Sequence, residues 1–340
     1  MNASHETSET ACNDWKPRRV GVIGAGAMGV GLAAMLGSET PVTIVARNPR
    51  AAESIRRNGA VVTGGVGASS RPRVVSSIAE LGDAGPLSAI FVATKTTAID
   101  AVARELAPVL DALGDGPPSP FVVSFQNGIE PGRHLIERLR DPRVLRMVLN
   151  YGARTEPDGR VRIVHQHPPH SIGCLRPEYL PVCRKLAALL SDCGLQTETT
   201  EDIEPLVWRK GLINAAVNPV AALTDASVGE VLDSPARAIV EKLLAEGLAV
   251  AGAEGIELGP DAEASLWRAI EAARAHTPSM VEDIRQGRES EVGQLNRQVI
   301  AHAKRVGVQT PSHETVAALI DAFDWRVFQR SSGVTTKRTA

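Results

Sequence analysis

The chain of 340 residues is predicted to fold as a parallel α/β domain followed by an all-helical domain. Three observations predict this architecture. Between residues 20 and 200, short apolar runs rich in β-branched residues alternate with helical or loop stretches, which indicates a parallel sheet covered on both faces. A glycine-rich turn directly follows the first of these runs. From about Glu201 the strand pattern gives way to long helical periods.

The predicted sheet is built from apolar runs of four or five residues. The central strands are expected at 20–23, 42–45, 89–93 and 121–125. Later runs at 143–149, 161–165 and 171–175 are expected to extend the same sheet. Their direction, parallel or antiparallel, is left open.

Helices of the second half are predicted from apolar residues at helical spacing. They are expected at 236–253, 263–275, 289–304 and 314–328. The resulting division of the chain is a disordered extension at 1–17, an α/β dinucleotide-binding domain at 18–200, a helical domain at 201–330 and a flexible tail at 331–340.

Composition excludes several classes of protein. Hydrophobic residues make up 43% of the chain and charged residues 22%, as in a soluble globular protein. A net charge of −2 with 3% aromatic residues argues against nucleic acid as a partner, and no apolar run reaches the roughly 18 residues that span a bilayer. The first 17 residues lack the pattern of a targeting signal, and the four cysteines form no CxxC pair. A reducing cytoplasm is therefore the expected location.

The glycine-rich turn has the spacing GxGxxG, with Gly24, Gly26 and Gly29 at the glycine positions. It lies between a buried strand and an Ala/Leu-rich helical stretch, which is the context of the Rossmann dinucleotide-binding motif. Gly24 is expected to form the tight turn, Gly26 to let the backbone approach a pyrophosphate and Gly29 to let helix and strand pack closely. The alternative is a purely structural glycine turn.

Arg47 follows the second predicted strand, where NAD-binding enzymes usually carry an acidic residue. An arginine at this position suits the 2′-phosphate of NADP(H), with Arg50 as a second cation nearby. The alternative is a solvated arginine at a strand end. Lys95 and Asn127 follow two further strands, and ligands of open α/β sheets bind outside the carboxyl ends of strands. Both are therefore candidate ligand contacts.

A polar stripe lies on the apolar segment 208–219. Lys210, Asn214 and Asn218 recur every four residues, so at 3.6 residues per turn they drift only about 40° per step. Because a helix this apolar is expected to be buried, its polar groups need partners. The stripe therefore indicates a cavity that holds a hydrogen-bonding ligand, or else three core residues with partners inside the protein. Pro219 removes a backbone donor just after the stripe.

Further along, Thr277 and Pro278 resemble a helix start, with Thr277 as N-cap and Ser279 in the first turn. Free N–H groups there suit a substrate carboxylate. Glu291 lies in the first turn of the next predicted helix, where an acidic residue is favourable without any catalytic role.

Together these motifs resemble the ketopantoate reductase (2-dehydropantoate 2-reductase) family, NADPH-dependent enzymes of pantothenate synthesis. The resemblance covers residues 20–328. It rests on GAGAMG at 24–29, Arg47, Thr94-Lys95-Thr96, Gln126-Asn127-Gly128, Trp208-Arg209-Lys210, Asn214, Asn218-Pro219, Ser279-Met280, Asp283 and Glu291. It implies a Rossmann-type domain and a helical domain like the C-terminal domain of 6-phosphogluconate dehydrogenase.

The resemblance also implies roles for individual residues. Lys210 matches the general acid and Glu291 its carboxylate partner. The implied substrate contacts are Asn127, Asn214, Asn218, Ser279 and His276. The implied contacts to NADP(H) are Gly24, Ala25, Gly26, Ala27, Met28, Gly29, Arg47, Lys95, Asn127 and Glu291.

Three positions depart from the family pattern, namely His276, Gly293 and Arg297. They leave the proton donor in place but change the predicted substrate wall, so another 2-oxo acid is an open alternative. A third alternative is a non-catalytic NADP(H) sensor. A sensor has no use for a proton donor, so the intact set of Lys210, Asn214, Asn218, Ser279 and Glu291 argues against it. The expected partner is a small 2-oxo acid, and neither nucleic acid nor a membrane is expected as a partner. Assembly as a homodimer is left open.

His165, His167 and His170 are spaced closely enough to suggest metal ligands. No carboxylate or cysteine at a suitable spacing completes the set, so no metal is predicted.

Overall fold

The computed structural model describes residues 12–113, 119–141 and 143–331. The chain forms two compact units. The first contains Met1–Gln126 and Pro131–Ile203, and the second contains Asn127–Glu130 and Glu204–Ala340. The short segment Asn127–Glu130 therefore belongs with the helical half, although it lies within the α/β half of the sequence.

Most of the predicted N-terminal extension, residues 1–11, and most of the predicted tail, residues 332–340, lie outside the described residues. Cys12 and Trp15, however, pack in the core of the first unit. Cys12 is 6% exposed in its core, and the Trp15 ring meets Phe121 edge-on with centroids 6.2 Å apart. The Nζ of Lys185 donates to the carbonyl of Trp15 at 2.6 Å. Burial of the thiol and the indole explains why the predicted disorder does not extend to these residues.

The strands of the described residues lie in the first unit. In chain order they are β1 (Val20–Ile23), β2 (Val42–Val45), β3 (Ala60–Gly64), β4 (Ala68–Ser70), β5 (Arg73–Val75), β6 (Ala89–Val92), β7 (Phe121–Ser124), β8 (Val144–Val148), β9 (Tyr151–Thr155), β10 (Val161–Gln166), β11 (His170–Cys174) and β12 (Thr197–Thr199). The main sheet has eight strands in the order β12-β11-β8-β7-β6-β1-β2-β5. Pairing is parallel from β8 through to β5, and β11 joins β8 antiparallel. The predicted parallel centre is confirmed.

The predicted run at 161–165 is not part of the main sheet. It forms β10 of a second sheet with the order β4-β3-β10-β9. Val161 and Ile163 are buried, whereas Arg162 and Val164 are exposed, so only one face of β10 is covered. Strands of the main sheet such as β1 and β6 are buried at every residue. That difference separates the two sheets.

In the described part of the first unit, helices cover these sheets. They are α1 (Ala27–Leu36), α2 (Pro49–Asn58), α3 (Ile99–Leu113), α4 (Pro131–Leu139) and α5 (Leu180–Asp192). Helix α1 is buried at each residue from Gly29 to Leu36 and has no polar face. A Cβ on Gly31 would lie 3.4 Å from Cγ1 of Val161, so the second sheet packs on α1. Contact with both sheets explains why this helix is apolar all round.

The described part of the second unit is helical. Its helices are α6 (Glu204–Thr224), α7 (Val228–Asp233), α8 (Arg237–Ala253), α9 (Ala262–Ala272), α10 (Ser279–Arg285), α11 (Asn296–Val306) and α12 (Pro311–Ser331). Trp208, Leu212 and Ala215 of α6 are buried in its core. Gly247 lets α8 approach α6 closely, because a Cβ there would lie 2.6 Å from Cδ2 of Leu212.

The predicted helix at 289–304 begins later than expected. Residues Val292–Gln294 form a 3-10 turn, and Leu295 has φ −117° and ψ −92°, so α11 starts only at Asn296. Glu291 therefore precedes a turn rather than lying in an α-helical first turn. Within the described residues no helix is both long and apolar enough to cross a bilayer.

Candidate functional site

The glycine-rich turn joins β1 to α1 as predicted. Gly24 has φ +113°, a conformation that favours glycine, and a Cβ there would lie 3.0 Å from the Ala93 backbone. A Cβ on Gly29 would lie 1.9 Å from the carbonyl oxygen of Gly24, so this position admits no side chain. A Cβ on Gly26 would meet nothing within 4 Å. Two glycines are thus required by the protein itself, whereas the third leaves open space beside the turn.

The start of α1 offers backbone donors to a ligand. Gly26 is its N-cap and provides no side-chain hydrogen bond, and no acidic residue lies in the first turn. Helical bonding begins with the N–H of Val30 donating to the Gly26 carbonyl at 2.9 Å. The N–H groups of Ala27, Met28 and Gly29 consequently lack helical acceptors. Free amides at the positive end of a helix dipole fit a pyrophosphate.

Arg47 lies just beyond the carboxyl end of β2, as predicted. Its Nη2 forms an ion pair with Oε2 of Glu105 at 2.7 Å, with the two side chains 50% and 42% exposed. Exposed pairs of this kind contribute about 0–1 kcal/mol, so a phosphate can compete with the carboxylate. Asn48 caps the following helix α2 by accepting from the N–H of Arg50 at 2.9 Å.

Lys95 and Gln126 lie at the carboxyl ends of β6 and β7 in the same unit. Lys95 is exposed and precedes a 3-10 turn at Thr96–Ala98. Gln126 is 6% exposed, and its Oε1 accepts from the Ser124 hydroxyl at 2.9 Å. No sequence pattern indicated Arg146, a buried residue of β8 whose Nη2 donates to the Gln126 carbonyl at 2.7 Å. Arg146 thereby braces the turn that leads to Asn127.

Asn127 and Glu291 come together within the second unit. Nδ2 of Asn127 donates to Oε2 of Glu291 at 3.2 Å. Gly128 has φ +104°, and a Cβ there would lie 2.4 Å from the carbonyl oxygen of Gln294. The same segment touches α6, because a Cβ on Gly211 would lie 2.8 Å from Cγ1 of Ile129. The Asn127–Glu291 pair is thus tied to the part of α6 that follows Lys210.

Two side chains of α11 anchor this segment, and sequence patterns indicated neither. Oε1 of Gln298 accepts from the N–H groups of Ile129 at 2.9 Å and Glu130 at 3.0 Å. His302 lies between two carboxylates, with Nε2 2.6 Å from Glu130 and Nδ1 2.7 Å from Glu254. Burial raises the pKa of Glu254, but hydrogen bonds from His302 and Arg305 outweigh it and leave that pKa below its usual value.

The polar stripe on α6 is present. Lys210 and Asn214 are half-buried and Asn218 is 8% exposed, whereas Gly211, Leu212 and Ala215 between them are buried. Within the described residues no side-chain hydrogen bond joins the amide of Asn214 or Asn218 to the protein. These two amides are therefore available to a ligand.

The region of His276 and Ser279 differs from prediction by one residue. Helix α10 begins at Ser279 with Pro278 as its N-cap residue, one position after the N-cap that the sequence predicts at Thr277. Ser279 is exposed, and α10 has only seven residues. His276 is half-buried, and its carbonyl accepts from the N–H of Val228 at 3.0 Å.

The histidines that suggested a metal site are separated in role. The rings of His165 and His167 lie 5.9 Å apart, and Nδ1 of His170 accepts from the N–H of Asn150 at 3.0 Å. Over the described ranges, no three His, Cys, Asp or Glu side chains form a group able to hold a metal ion.

Two family models match the chain. The model described as "Ketopantoate reductase PanE/ApbA" matches residues 20–176, and the model of the C-terminal part of the same family matches residues 202–324. Together they cover most of both compact units.

Curated relatives match this chain over nearly its whole length. The 2-dehydropantoate 2-reductase of Halobacterium salinarum is 28% identical over 307 residues, covering 89% of this chain and 97% of the relative. That of Mycobacterium tuberculosis is 28% identical over 309 residues, with the same coverage of both chains.

Solved structures agree in fold. A PanE/ApbA family ketopantoate reductase from Ralstonia eutropha superimposes with a TM-score of 0.80 at 23% identity, covering 91% of this chain and 99% of that chain. A D-mandelate dehydrogenase with NADH and anilino(oxo)acetate gives the same TM-score and coverage at 22% identity. The predicted combination of a Rossmann-type domain and a helical domain is confirmed.

Proposed function

Because the chain belongs to the ketopantoate reductase family, we propose that it reduces 2-dehydropantoate to pantoate with NADPH. The chain is an oxidoreductase, and its cofactor is a nicotinamide dinucleotide. The hydrogen bond from Asn127 to Glu291 is the observation that carries the proposal. It brings two residues that the family pattern assigns to the site into the same unit as the stripe of Lys210, Asn214 and Asn218.

Lys210 is proposed to be the general acid. The bound cofactor supplies a hydride to the ketone carbon of the substrate. Negative charge then develops on the ketone oxygen, and the ammonium of Lys210 donates a hydrogen bond and finally a proton to it. The Lys210 side chain is half-buried, which limits competition from water.

Glu291 is proposed to support Lys210 by keeping its amine protonated. A carboxylate favours the charged form of a nearby amine, and desolvation opposes it. The Asn127 amide holds one oxygen of Glu291 at 3.2 Å and thereby restricts the carboxylate. Gln298 holds the segment that contains Asn127, because its Oε1 accepts from the backbone N–H groups of Ile129 and Glu130.

Asn214, Asn218, Ser279 and His276 are proposed to bind the substrate. An amide can donate to a carboxylate or hydroxyl oxygen without adding charge, and the two asparagines of α6 have amides that the described protein groups leave unbonded. Exposed Ser279 and half-buried His276 lie close in sequence in the same unit.

NADPH, rather than NADH, is proposed as the cofactor. Gly24 to Gly29 would hold the pyrophosphate at the start of α1, and Lys95 lies at the neighbouring strand end. Arg47 would exchange Glu105 for the 2′-phosphate, which offers it a doubly charged acceptor. We further propose that the protein acts in the cytoplasm on a small 2-oxo acid, and that a homodimer is the assembly to examine first.

A second candidate is reduction of another 2-oxo acid. Positions 276, 293 and 297 depart from the family pattern. A Cβ on Gly293 would meet nothing within 4 Å, and Arg297 is held in an ion pair with Asp321. Both features leave the proposed substrate wall different in size and charge.

The test follows NADPH absorbance with 2-dehydropantoate and with a panel of other 2-oxo acids, including aromatic ones. A kcat/KM for 2-dehydropantoate at least tenfold above the rest supports the first proposal. Preference for another acid supports the second. Cofactor binding without turnover of any acid contradicts both.

A further inference from the structure

Helix α6 continues through Pro219, and a residue of another helix takes over the hydrogen bond that this proline cannot make. In an α-helix the N–H of residue 219 would donate to the carbonyl of Ala215, but proline has no N–H. Nδ2 of Asn296, the first residue of α11, donates to the Ala215 carbonyl at 2.8 Å. Both residues are 0% exposed, so water does not replace this donor.

His313 of α12 determines which way the Asn296 amide points. Nε2 of His313 lies 2.9 Å from the carbonyl oxygen of Leu243, which can only accept, so Nε2 carries the proton. Burial lowers the pKa of His313, more than the Leu243 bond and Glu246 raise it, which favours the neutral ring. Nδ1 is then an acceptor, and it lies 3.1 Å from Nδ2 of Asn296. Both hydrogens of the Asn296 amide are therefore used, which sets its orientation.

The carbonyl that Asn296 holds lies in the turn between two residues of the stripe. Ala215 follows Asn214 directly and precedes Asn218 by three residues. If the turn opened at Pro219, Asn218 would rotate relative to Asn214 and Lys210. A helical turn with its carbonyl bonded keeps these side chains on one face.

We infer that Asn296 is a positioning residue, which acts through the Ala215 carbonyl to keep Lys210, Asn214 and Asn218 in register. This inference rests on the proposed function, in which those three residues act on the substrate. Asn296 touches neither substrate nor cofactor in this role. Its effect is on catalysis and on substrate affinity, with cofactor affinity unchanged.

The experiment combines Asn296→Ala with Pro219→Ala. Pro219→Ala restores an N–H that can donate to the Ala215 carbonyl, so it should make Asn296 dispensable. Asn296→Ala alone is expected to lower kcat/KM for the preferred 2-oxo acid by at least tenfold, with the Kd of NADPH unchanged. The double variant is expected to recover to within threefold of Pro219→Ala. A buried control, Ile270→Ala in α9, should lower the Tm without changing kcat/KM.

Hydrogen exchange of the peptide covering residues 211–223 provides a readout that does not depend on activity. Exchange should increase in Asn296→Ala and return in the double variant. If Asn296→Ala does not fold, the comparison of the double variant with Pro219→Ala still tests whether Asn296 has become dispensable. A double variant that stays tenfold below Pro219→Ala overturns the inference.

Failure of the inference and failure of the proposed function give different results. Loss of turnover in Lys210→Ala together with unchanged kcat/KM in Asn296→Ala overturns the inference alone. If the unaltered protein reduces no 2-oxo acid, the proposed function fails and exchange decides the inference. Unchanged exchange in Asn296→Ala then overturns it, and increased exchange that Pro219→Ala reverses supports it.

Discussion

Asn127 donates a hydrogen bond to Glu291 at 3.2 Å across 164 positions of the chain. Asn127 follows the strand β7 of the first unit in sequence, yet it packs with the helical unit that carries Glu291. The loop after a sheet strand therefore supplies a residue to the same compact unit as the stripe on α6.

Removal of either member of the Asn127–Glu291 pair is expected to impair catalysis. Glu291→Ala and Asn127→Ala should each lower kcat/KM by about 10- to 100-fold, the range for hydrogen bonds to charged groups. Because the two side chains contact each other, the double variant should lose less than the product of the single losses. Steady-state kinetics of the four proteins test this, with Glu263→Ala on an exposed face of α9 as control. Strict additivity would show that the two residues act separately.

Gly26 and Gly29 are expected to respond differently to alanine. Gly26→Ala should fold with nearly unchanged Tm, because its Cβ meets nothing within 4 Å, but should bind NADPH at least tenfold more weakly. The added methyl group would occupy the space where the backbone approaches the pyrophosphate. Gly29→Ala should lower the Tm, because its Cβ would lie 1.9 Å from the Gly24 carbonyl oxygen. Thermal unfolding and cofactor titration of both variants distinguish the two effects; equal losses of Tm would contradict the assignment.

Arg47 and Glu105 should affect NADPH and NADH differently. Arg47→Ala should weaken NADPH binding by about 10- to 100-fold, the range for a charge-assisted contact, and leave NADH nearly unchanged. Glu105→Gln frees the Arg47 guanidinium from its partner and should tighten NADPH binding by about two- to fivefold, because exposed pairs contribute little. Arg57→Ala at the exposed end of α2 is the control. Equal Kd values for the two cofactors in the unaltered protein would rule out a 2′-phosphate site at Arg47.

Stability is expected to fall in mildly acidic solution because of His313. Burial lowers its folded-state pKa below the ordinary value of 6.5, so the unfolded chain binds a proton more readily than the folded chain. The contribution of His313 to the free energy of unfolding is complete above pH 6.5, and it is lost as pH falls from 6.5 towards the lower folded-state pKa. Urea unfolding of the unaltered protein and of His313→Leu between pH 7.5 and 5.5 measures this loss. A variant with the same pH slope as the unaltered protein would exclude His313 as its source.

Local patterns predicted the elements that depend on local sequence. The buried strands β1, β2, β6 and β7 and the turn at Gly24 were predicted, because apolar runs and glycine spacing are short-range signals. Helix α7 was missed, although Ser227 and Glu230 form a capping box that the sequence displays. The second sheet was also missed, although alternation at Val161 and Ile163 indicated a strand covered on one face.

Long-range contacts explain what the sequence could not reveal. Asn296 donates a hydrogen bond to a carbonyl 81 positions away, and Gln298 accepts hydrogen bonds from N–H groups 168 and 169 positions away. No spacing rule connects such residues. Pro219 shows in the sequence that one carbonyl of α6 lacks its helical donor. That Asn296 replaces this donor can be seen only in the packed helices.

The most direct measurement of the central claim is single-turnover oxidation of NADPH by Lys210→Ala with the preferred 2-oxo acid. We expect the rate to fall by about 10²- to 10⁴-fold, the usual contribution of a general acid, with the Kd of NADPH unchanged. Lys242→Ala on the exposed face of α8 should behave like the unaltered protein. A Lys210→Ala rate within threefold of the unaltered protein would show that this amine does not supply the proton.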